Sequence, residues 1–252
     1  MNAAGLLAAL DLPAAARVDR RVPKTMLHEH GAPTAADKRR ISDGIEQLQW
    51  VAALKPTTAG IAAYRDELRE YLEVLVLHIS FRSVAKVNRI VELIHRAVPY
   101  PLLLVAEQEG GLHLSLAHKR WSQGQAGKVV LDGELISVAW NGAVDAAHGA
   151  AFCAALALDR QPRLSLHAVY EGWMNTVLAL QAARRTGVFA KLDSPASAAV
   201  RRAALQECAR LETEMAQLRA TAASEKQMAR RVELNLELKR VEAAQVAARA
   251  SL

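Results

Sequence analysis

Residues 73–81 read Glu73-Val74-Leu75-Val76-Leu77-His78-Ile79-Ser80-Phe81, and this stretch decides the class of fold. Successive side chains of a β-strand point to opposite faces of the sheet. One face of this stretch would therefore carry only apolar side chains: Leu75, Leu77, Ile79 and Phe81. A wholly apolar face is typical of a sheet that packs against helices. The stretch predicts a strand within an α+β fold.

Downstream of this strand, the sequence predicts a helix and then a hairpin. Ser83 is the predicted N-cap of the helix, and Pro99 ends it. The predicted core stripe of this helix consists of Val84, Val87, Val91 and Ile94. Strands are predicted at residues 102–107 and 112–119, because Gly110-Gly111 between them is a strong hairpin signal. The helix would cross over between strands and cover one face of a small, mainly antiparallel sheet.

Further strands and a helix flank this core. Residues 128–131 and 135–140 predict a second strand pair that turns at Asp132-Gly133. Upstream, Asp37 is a plausible N-cap for a helix that runs to about Ala53, and Pro56 would stop that helix. A short strand is predicted just after this proline, at residues 57–62.

Four segments are predicted for the whole chain. Residues 1–35 form a partly irregular leader, residues 36–142 an α+β sheet domain, residues 143–192 a helical subdomain, and residues 193–252 a helical tail. The helical subdomain contains a predicted helix at residues 164–185. Its buried stripe is predicted to be Leu166, Val169, Trp173, Val177 and Leu180.

The tail has the hydrophobic spacing of a coiled coil. Residues 196–250 contain no glycine or proline, and apolar residues recur at steps of three and four with a change of phase at residues 221–227. Ser224 and Gln227 at this break could form a capping box. Either one continuous rod or a helical hairpin is consistent with this pattern. We predict a partner or oligomer interface formed by Leu211, Met215, Leu218, Val232, Leu234, Leu238 and Val241.

The bulk composition bounds the class of protein. Of the 252 residues, 52% are hydrophobic, which is too many for a generally disordered chain. The net charge of +6 is compatible with nucleic acid or other acidic partners. No segment approaches the roughly 20 apolar residues of a membrane-spanning helix. Cys153 and Cys208 lack metal-type spacing, and they fit a reducing compartment. We therefore expect a cytoplasmic protein without a membrane partner.

Basic residues indicate two places where nucleic acid could bind. Lys119, Arg120 and Trp121 close a predicted strand, and this combination can neutralise phosphates and stack a base. Arg230 and Arg231 are the corresponding candidates in the tail. However, the tail carries ten Lys and Arg against seven Glu, and mixed charge is typical of a solvated coiled-coil flank. The tail therefore favours a protein partner over DNA.

No catalytic residue, metal site or cofactor is predicted. His28-Glu29-His30 lacks the i,i+4 spacing of a helical zinc site, and a solvated loop is the favoured interpretation. Glu70, Glu73 and His78 are placed where a metal-dependent nuclease carries its acids, but leucine occupies the position where such a nuclease has lysine. The sequence thus favours a protein that is not an enzyme.

Four segments together resemble a family of bacterial proteins known only as a domain of unknown function. They are Val22-Pro23-Lys24, Trp50, the stretch at residues 98–102 (Val-Pro-Tyr-Pro-Leu) and the tail block at residues 225–235. The resemblance implies a protein encoded near helicases and DNA methyltransferases in restriction or anti-phage loci. It implies no catalytic residues. Members often carry lysine or an acid near the end of the 73–81 strand, where this chain has Ser80 and Arg82.

We therefore expect a non-enzymatic interaction or assembly subunit of a bacterial DNA-processing complex of the restriction or antiviral defence type. The resemblance implies a helicase or methyltransferase-type subunit as its protein partner, and DNA or RNA could be contacted directly. Two alternatives stay open. One is a divergent Mg²⁺-dependent nuclease that uses Glu70, Glu73 or His78. The other is a structural protein that forms homo-oligomers through its tail without DNA contact.

Overall fold

The computed structural model describes residues 1–83, 85–125, 127–192 and 194–252, and only the backbone of His30. Its strands are β1 (Arg17–Arg21), β2 (Ile45–Leu54), β3 (Tyr64–Arg65), β4 (Glu70–Tyr71), β5 (Val74–Phe81), β6 (Leu102–Gln108), β7 (Gly111–Trp121) and β8 (Val129–Trp140). Its helices are α1 (Ala3–Ala9), α2 (Lys24–His30), α3 (Ala35–Gly44), α4 (Pro56–Ala59), α5 (Val87–Ala97), α6 (Gly142–Asp145), α7 (Gly149–Leu156), α8 (Leu166–Thr186), α9 (Pro195–Ser224) and α10 (Met228–Arg249). Two compact units result, Met1–Val177 and Leu178–Leu252.

The first unit is built on a six-stranded sheet in the order β1-β2-β5-β6-β7-β8. Only the β5–β6 pair is parallel, because α5 crosses over between these two strands. The other neighbouring strands are antiparallel. Strands β3 and β4 form a separate two-stranded hairpin. The predicted α+β class and the mainly antiparallel sheet are therefore confirmed.

The predicted strand at residues 73–81 is β5, and its apolar face packs on α5. The side chains of Leu75, Leu77, Ile79 and Phe81 belong to the same buried cluster as Ile90 and Ile94 of α5. The predicted hairpin is also present, since Glu109 and Gly110 adopt φ values of 49° and 80° between β6 and β7. Two successive left-handed residues match the twist of a tight hairpin. Val84, a predicted member of the α5 stripe, lies outside the described residues.

Two predicted elements upstream of β5 are wrong. The helix expected from Asp37 to Ala53 ends at Gly44, and the chain continues as strand β2. The side chain of Thr34 caps α3 by accepting the amide of Asp37, so Asp37 lies inside the first turn. Strand β2 pairs with β1 and β5, and this tertiary pairing overrides the helical spacing. Residues 56–59 form the short helix α4 instead of a strand.

The predicted turn at Asp132-Gly133 is a bulge inside one long strand, β8. Leu116 pairs with Ile136 and His118 with Asp132, so β8 carries extra residues between these two pairs. Gly133 has φ +79°, which glycine adopts without steric cost. The leader also differs from expectation, because β1 within it forms the edge strand of the sheet.

The second unit contains a helical hairpin. Helices α9 and α10 are separated by three residues, and Leu211, Met215 and Val241 form one buried cluster with Leu218 and Leu238. The two helices therefore cover much of each other's apolar seam. Ser224 makes no capping box, because its hydroxyl donates back to the Ala220 carbonyl. That the hairpin supercoils as a coiled coil stays a prediction. Among the helices of the described residues, none combines the length and the apolar character needed to cross a membrane.

Candidate metal centre

Strand β7 directs two neighbouring side chains to opposite faces of the sheet. Lys119 is buried on the α5 face, where its Nζ donates to the carbonyls of His95 and, at 2.9 Å, Val98. His118 is buried on the other face because strand side chains alternate. The first turns of α8 reach His118 there, and Glu171 Oε1 lies 2.7 Å from His118 Nε2.

Tyr170 fixes this part of α8 to the sheet. Its ring is fully buried, and its hydroxyl accepts the amide of Ala117 at 2.9 Å and donates to the carbonyl of Leu102 at 2.8 Å. The helix therefore meets β6 and β7 through hydrogen bonds as well as apolar packing. Because Glu171 follows Tyr170 directly, and His167 lies one turn earlier, both side chains are held on a rigid element.

His167 and Glu171 lie on one side of α8 because they are four residues apart. The structure brings them together with His118 of β7. The nearest ligand atoms of these three side chains all lie within 4.8 Å of one another. Two imidazoles and one carboxylate converge at this point, and we call the three residues the His–Glu cluster.

Two ring nitrogens in the His–Glu cluster are buried without a hydrogen bond. His167 Nε2 has no partner, and His118 Nε2 lies close to the Glu171 carboxylate without the alignment of a hydrogen bond. A buried polar atom is normally paired, so such atoms require an explanation. A cation between the three side chains would accept both nitrogens and the carboxylate oxygen at once. The three side chains thus form a group that could hold a metal ion, with one of its pairs also in ion-pair contact.

Aromatic side chains enclose the His–Glu cluster. The His167 ring stacks on Tyr64 at 4.6 Å between centroids and on His118 at 5.5 Å, and Tyr71 meets it edge-on at 4.8 Å. Burial, with the neighbouring His118 next, lowers the pKa of His167, which keeps its imidazole neutral. A neutral imidazole is the form that binds a metal.

Tyr71 completes the surroundings by hydrogen bonding to His118 Nδ1. Burial raises the pKa of Tyr71 above its usual range, so its hydroxyl stays protonated. In the tautomer with hydrogen on Nδ1, His118 donates to the Tyr71 oxygen and its Nε2 keeps a lone pair. Metal-binding histidines usually have such a partner on the second nitrogen, because it fixes the tautomer and the ring orientation.

Two imidazole nitrogens and one carboxylate oxygen suit zinc, and they also suit iron and related divalent metals. Ligand atoms at about 2.1 Å from a metal are at most about 4.2 Å apart. The widest spacing, within 4.8 Å, therefore requires a small closure on binding, whereas the His118–Glu171 pair at 2.7 Å would open slightly. One third of the Glu171 side chain is exposed, whereas that of His118 is nearly buried. The open side near Glu171 could admit water or a substrate as a further ligand.

Three residues of β7 were predicted to contact nucleic acid. Their side chains alternate between the two faces of the sheet, but all three border one groove at its end. Lys119, Arg120 and Trp121 all line a cavity of about 210 Å³ at the end of β7. Lys119 is nearly inaccessible, and burial lowers its pKa to about 7. Arg120 Nε lies 3.5 Å from Asp132. Nucleic-acid contact by these residues stays a prediction.

In the tail, Arg230 and Arg231 are exposed, and Arg230 pairs with Glu233 at 2.7 Å. The predicted interface residues fall into two groups. Six belong to or pack against the cluster between α9 and α10, or are buried beside it, whereas Val232 is half exposed. The buried residues of the predicted interface are Leu211, Met215, Leu234 and Val241, with Leu218 and Leu238 partly buried against them.

The acids and histidines considered for a nuclease are held by separate partners. Glu70 pairs with Arg65, Glu73 with Lys55, and His78 Nε2 lies 3.2 Å from Glu107. Among the described residues, they do not form a metal-type group. His28 bonds to Ser42 instead, and the side chain of His30 lies outside the described residues.

Sequence reasoning missed His167 and Glu171 as functional candidates. A signal was present, since histidine and an acid four residues apart on a confirmed amphipathic helix can hold one ion. His118 directly precedes Lys119, Arg120 and Trp121, which were predicted to contact nucleic acid, and it was not predicted as a ligand. Its position opposite α8 depends on the packing of a helix that begins 48 residues later, which spacing alone does not reveal.

Comparison with known proteins gives one family. The sequence model described as "Domain of unknown function (DUF4391)" matches residues 10–244. The searches of curated proteins and of solved structures found no significant match.

Proposed function

This chain belongs to the DUF4391 family, and we propose that it is a metal-dependent hydrolytic protein. The His–Glu cluster, formed by His118, His167 and Glu171, would hold one divalent transition-metal ion. The convergence of three ligand atoms within 4.8 Å, with two buried ring nitrogens unpaired, carries this proposal. A bound ion of this type lowers the pKa of its water toward neutrality and supplies a nucleophile.

The protein's own contribution is to hold the ligands and to leave one side open. Tyr170 fixes α8 against the sheet, and Tyr71 orients the His118 ring. Apolar and aromatic neighbours reduce the water around His167, which strengthens electrostatic interactions inside the site. The exposed part of Glu171 marks the direction from which substrate would approach.

Zinc titration of the chelator-stripped protein, against a chromophoric zinc indicator, tests this proposal. We expect one tight site in the wild type. His167→Phe keeps a ring on Tyr64, and Glu171→Gln keeps the side-chain shape. Each substitution removes a direct ligand, so it should weaken zinc binding by at least roughly 10–100-fold. That is the loss seen when only a hydrogen-bond partner of a ligand is removed. The matched control is His113→Phe, a histidine of β7 outside the cluster. Equal affinity in all four proteins would overturn the proposal.

Hydrolysis is tested separately with bis(p-nitrophenyl) phosphate and p-nitrophenyl acetate at fixed zinc or manganese. The wild type and His113→Phe should release nitrophenol in a metal-dependent way, and Glu171→Gln should not. Tight zinc binding without hydrolysis of either compound would leave a structural metal site and remove the catalytic part of the proposal.

A second candidate function is the assembly role, supported by a different feature. Met228, Val232, Leu236 and Val246 of α10 are each more than half exposed, and their spacing places them on one side of the helix. Exposed Lys239 lies on the same side of the helix as these residues, and exposed Arg240 lies beside it. We propose that an amphipathic helix with acidic flanks, from a partner protein, packs here. The sequence resemblance implies a helicase or methyltransferase-type subunit in a DNA-processing defence complex as that partner.

Size-exclusion chromatography with that subunit tests the assembly role. The double substitution Val232→Asp with Leu236→Asp should prevent co-elution, because it places charges in the apolar stripe. Leu218→Ala, in the seam that α9 and α10 cover, is the control and should leave co-elution intact. If the wild type instead sediments as a dimer that the aspartates dissociate, the occupant is a second copy and this assignment is wrong.

A further inference from the structure

A groove at the end of β7 has the lining of a base-stacking site. Its walls come from Glu70 and Leu72 on either side of Tyr71, from Pro99 and Tyr100 before β6, and from the last residues of β7. Tyr100 and Leu72 are exposed, and Trp121 is partly buried. The cavity holds about 210 Å³, below the size of pockets for drug-sized ligands. One planar ring system is the occupant that suits this size and lining.

Positive charge lies at and beside this groove: Arg120 lines it, and Arg69 precedes another lining residue, Glu70, in the chain. Arg69 and Arg120 share one carboxylate, at 2.6 Å and 3.5 Å from Asp132. Two guanidinium groups against one carboxylate leave one positive charge. The acid in the groove wall, Glu70, is paired with Arg65 at 3.3 Å and contributes little net charge. Guanidinium groups bind phosphate oxygens well, because their planar donors match that geometry.

The groove and the surroundings of the His–Glu cluster are built on the same strands, β4 and β7. Tyr71 bonds to His118, whereas its two sequence neighbours line the groove, since side chains of β4 alternate. Asp132 pairs across the sheet with His118. A group held by the two arginines would therefore be close to a metal at His118.

We propose that this groove binds one nucleotide of a single-stranded nucleic acid. The base would stack on Trp121 beside Tyr100, and the adjoining phosphate would take the place near Arg69 and Arg120. Stacking of this kind requires an unpaired base, because a base inside a duplex has no free face. The inference deepens the proposed hydrolytic function by giving its substrate class, although binding in the groove does not require the metal.

The corresponding reaction is hydrolysis of a phosphodiester. His118, His167 and Glu171 would hold the ion that activates a water molecule; the oxygen of that water would form a bond to phosphorus, and the P–O bond to one sugar oxygen would break. The water's proton ends, through solvent, on that leaving oxygen. One water is consumed, and the products are a phosphate monoester and an alcohol. No oxidant or reductant is needed.

Binding is tested first, in EDTA, by anisotropy of a labelled twelve-nucleotide oligothymidylate. Trp121→Ala should weaken binding about tenfold or more, whereas Trp121→Phe keeps a stacking face and should retain most of it. Leu72→Asp, at an exposed position of the groove, tests the same surface if Trp121→Ala does not fold. Arg210→Gln, on α9, is the charge control and should bind as the wild type does.

Two results would overturn the inference. One is wild-type affinity in both Trp121→Ala and Leu72→Asp. The other is a duplex of the same length that binds as tightly as the single strand and competes with it. A third result would also count against the inference: thymidine monophosphate that binds as tightly as the oligonucleotide. The ligand would then be a free nucleotide and not a nucleic acid.

Cleavage is then measured with zinc or manganese present. Glu171→Gln should bind the oligonucleotide normally and fail to cleave it, and Trp121→Ala should cleave slowly at low substrate. Because binding is measured without metal, failure of the groove and failure of the metal centre give different results. Loss of oligonucleotide binding with intact zinc binding overturns only the groove.

Discussion

The two faces of the sheet each bury a histidine, and the two histidines have different surroundings. On the α5 face, His95 is fully buried and its Nε2 lies 3.0 Å from the hydroxyl of Ser115. On the other face, His118 meets a carboxylate and a second imidazole. Burial is therefore similar, whereas the chemical type of the neighbours differs. A buried histidine is therefore a candidate ligand only where other ligand-type groups converge on it.

The two faces should also respond to different solution conditions, one to acid and the other to metal. Burial, and then the nearby Lys119, lowers the pKa of His95 to about 3. The α5 face should therefore respond to acid. The cluster on the other face presents a carboxylate together with nitrogen ligands, so it should respond to metal. The predictions below use this contrast, beginning with the largest expected effect.

Zinc should raise the free energy of unfolding through the α8 face alone. At a free concentration of 1,000 times Kd, a ligand that binds only the folded state adds about 4 kcal/mol. We expect this gain in the wild type and in His95→Gln, and none in His167→Phe. Urea unfolding with and without zinc measures it. A gain that survives in His167→Phe and is lost in His95→Gln would reverse the assignment of the two faces.

Tyr170→Phe should destabilise the protein by about 1–3 kcal/mol, because it removes the hydroxyl that accepts the buried amide of Ala117. Urea unfolding without metal measures the loss. The matched control is Tyr100→Phe, whose ring lies at the exposed groove, and it should stay within about 0.5 kcal/mol of the wild type. Equal stability in the two variants would show that Tyr170 does not anchor α8.

His95 should make the protein less stable as the pH falls from 7 to 5. Its folded pKa of about 3 lies below the usual value of 6.5, so the unfolded chain binds the proton first and stability is lost between these values. From pH 7 to pH 5 this amounts to about 2 kcal/mol. His95→Gln should make that pH dependence shallower by about this amount, and the part that remains belongs to other buried histidines such as His167, whose pKa burial also lowers. Parallel curves for the wild type and the variant would contradict the prediction.

Much of the sheet could be predicted from sequence, because its signals are local. Alternation predicts β5, the glycines at 110 and 111 mark the β6–β7 turn to within one residue, and the apolar spacing predicts α8. The same rules failed for β2. Its residues also fit helical spacing, and only pairing with β1 and β5 distinguishes the two structures.

The candidate metal centre could be predicted from the sequence only in part. The spacing of His167 and Glu171 was visible as a helical pair. The third ligand, His118, belongs to a strand that faces them only after Tyr170 has fixed α8 on the sheet. Tyr71 arrives from the separate β3–β4 hairpin. Side chains from three elements meet here, and no local periodicity predicts such a meeting.

The smallest expected effect concerns Asp37, which joins α3 to α5 on the His95 side of the sheet. Its buried carboxylate accepts hydrogen bonds from Arg89, Thr34 and Arg40. These bonds, that of Arg89 first, lower the pKa of Asp37 to about 2. The folded pKa is below the usual value, so the stabilisation is present above about pH 4 and is lost as the pH falls toward 2. Arg89 is more than a third exposed, and solvent screening keeps the effect below that of His95.

Asp37→Asn should therefore be less stable than the wild type at pH 6, and the difference should close near pH 2. Acid unfolding followed by circular dichroism measures both points. The pH window of Asp37 lies below most of the window of His95, so the two groups should give two separable steps on the α5 face. Zinc should move neither step, because neither side chain belongs to the His–Glu cluster. A constant difference across the whole pH range would mean that Asp37 acts through packing and not through its charge.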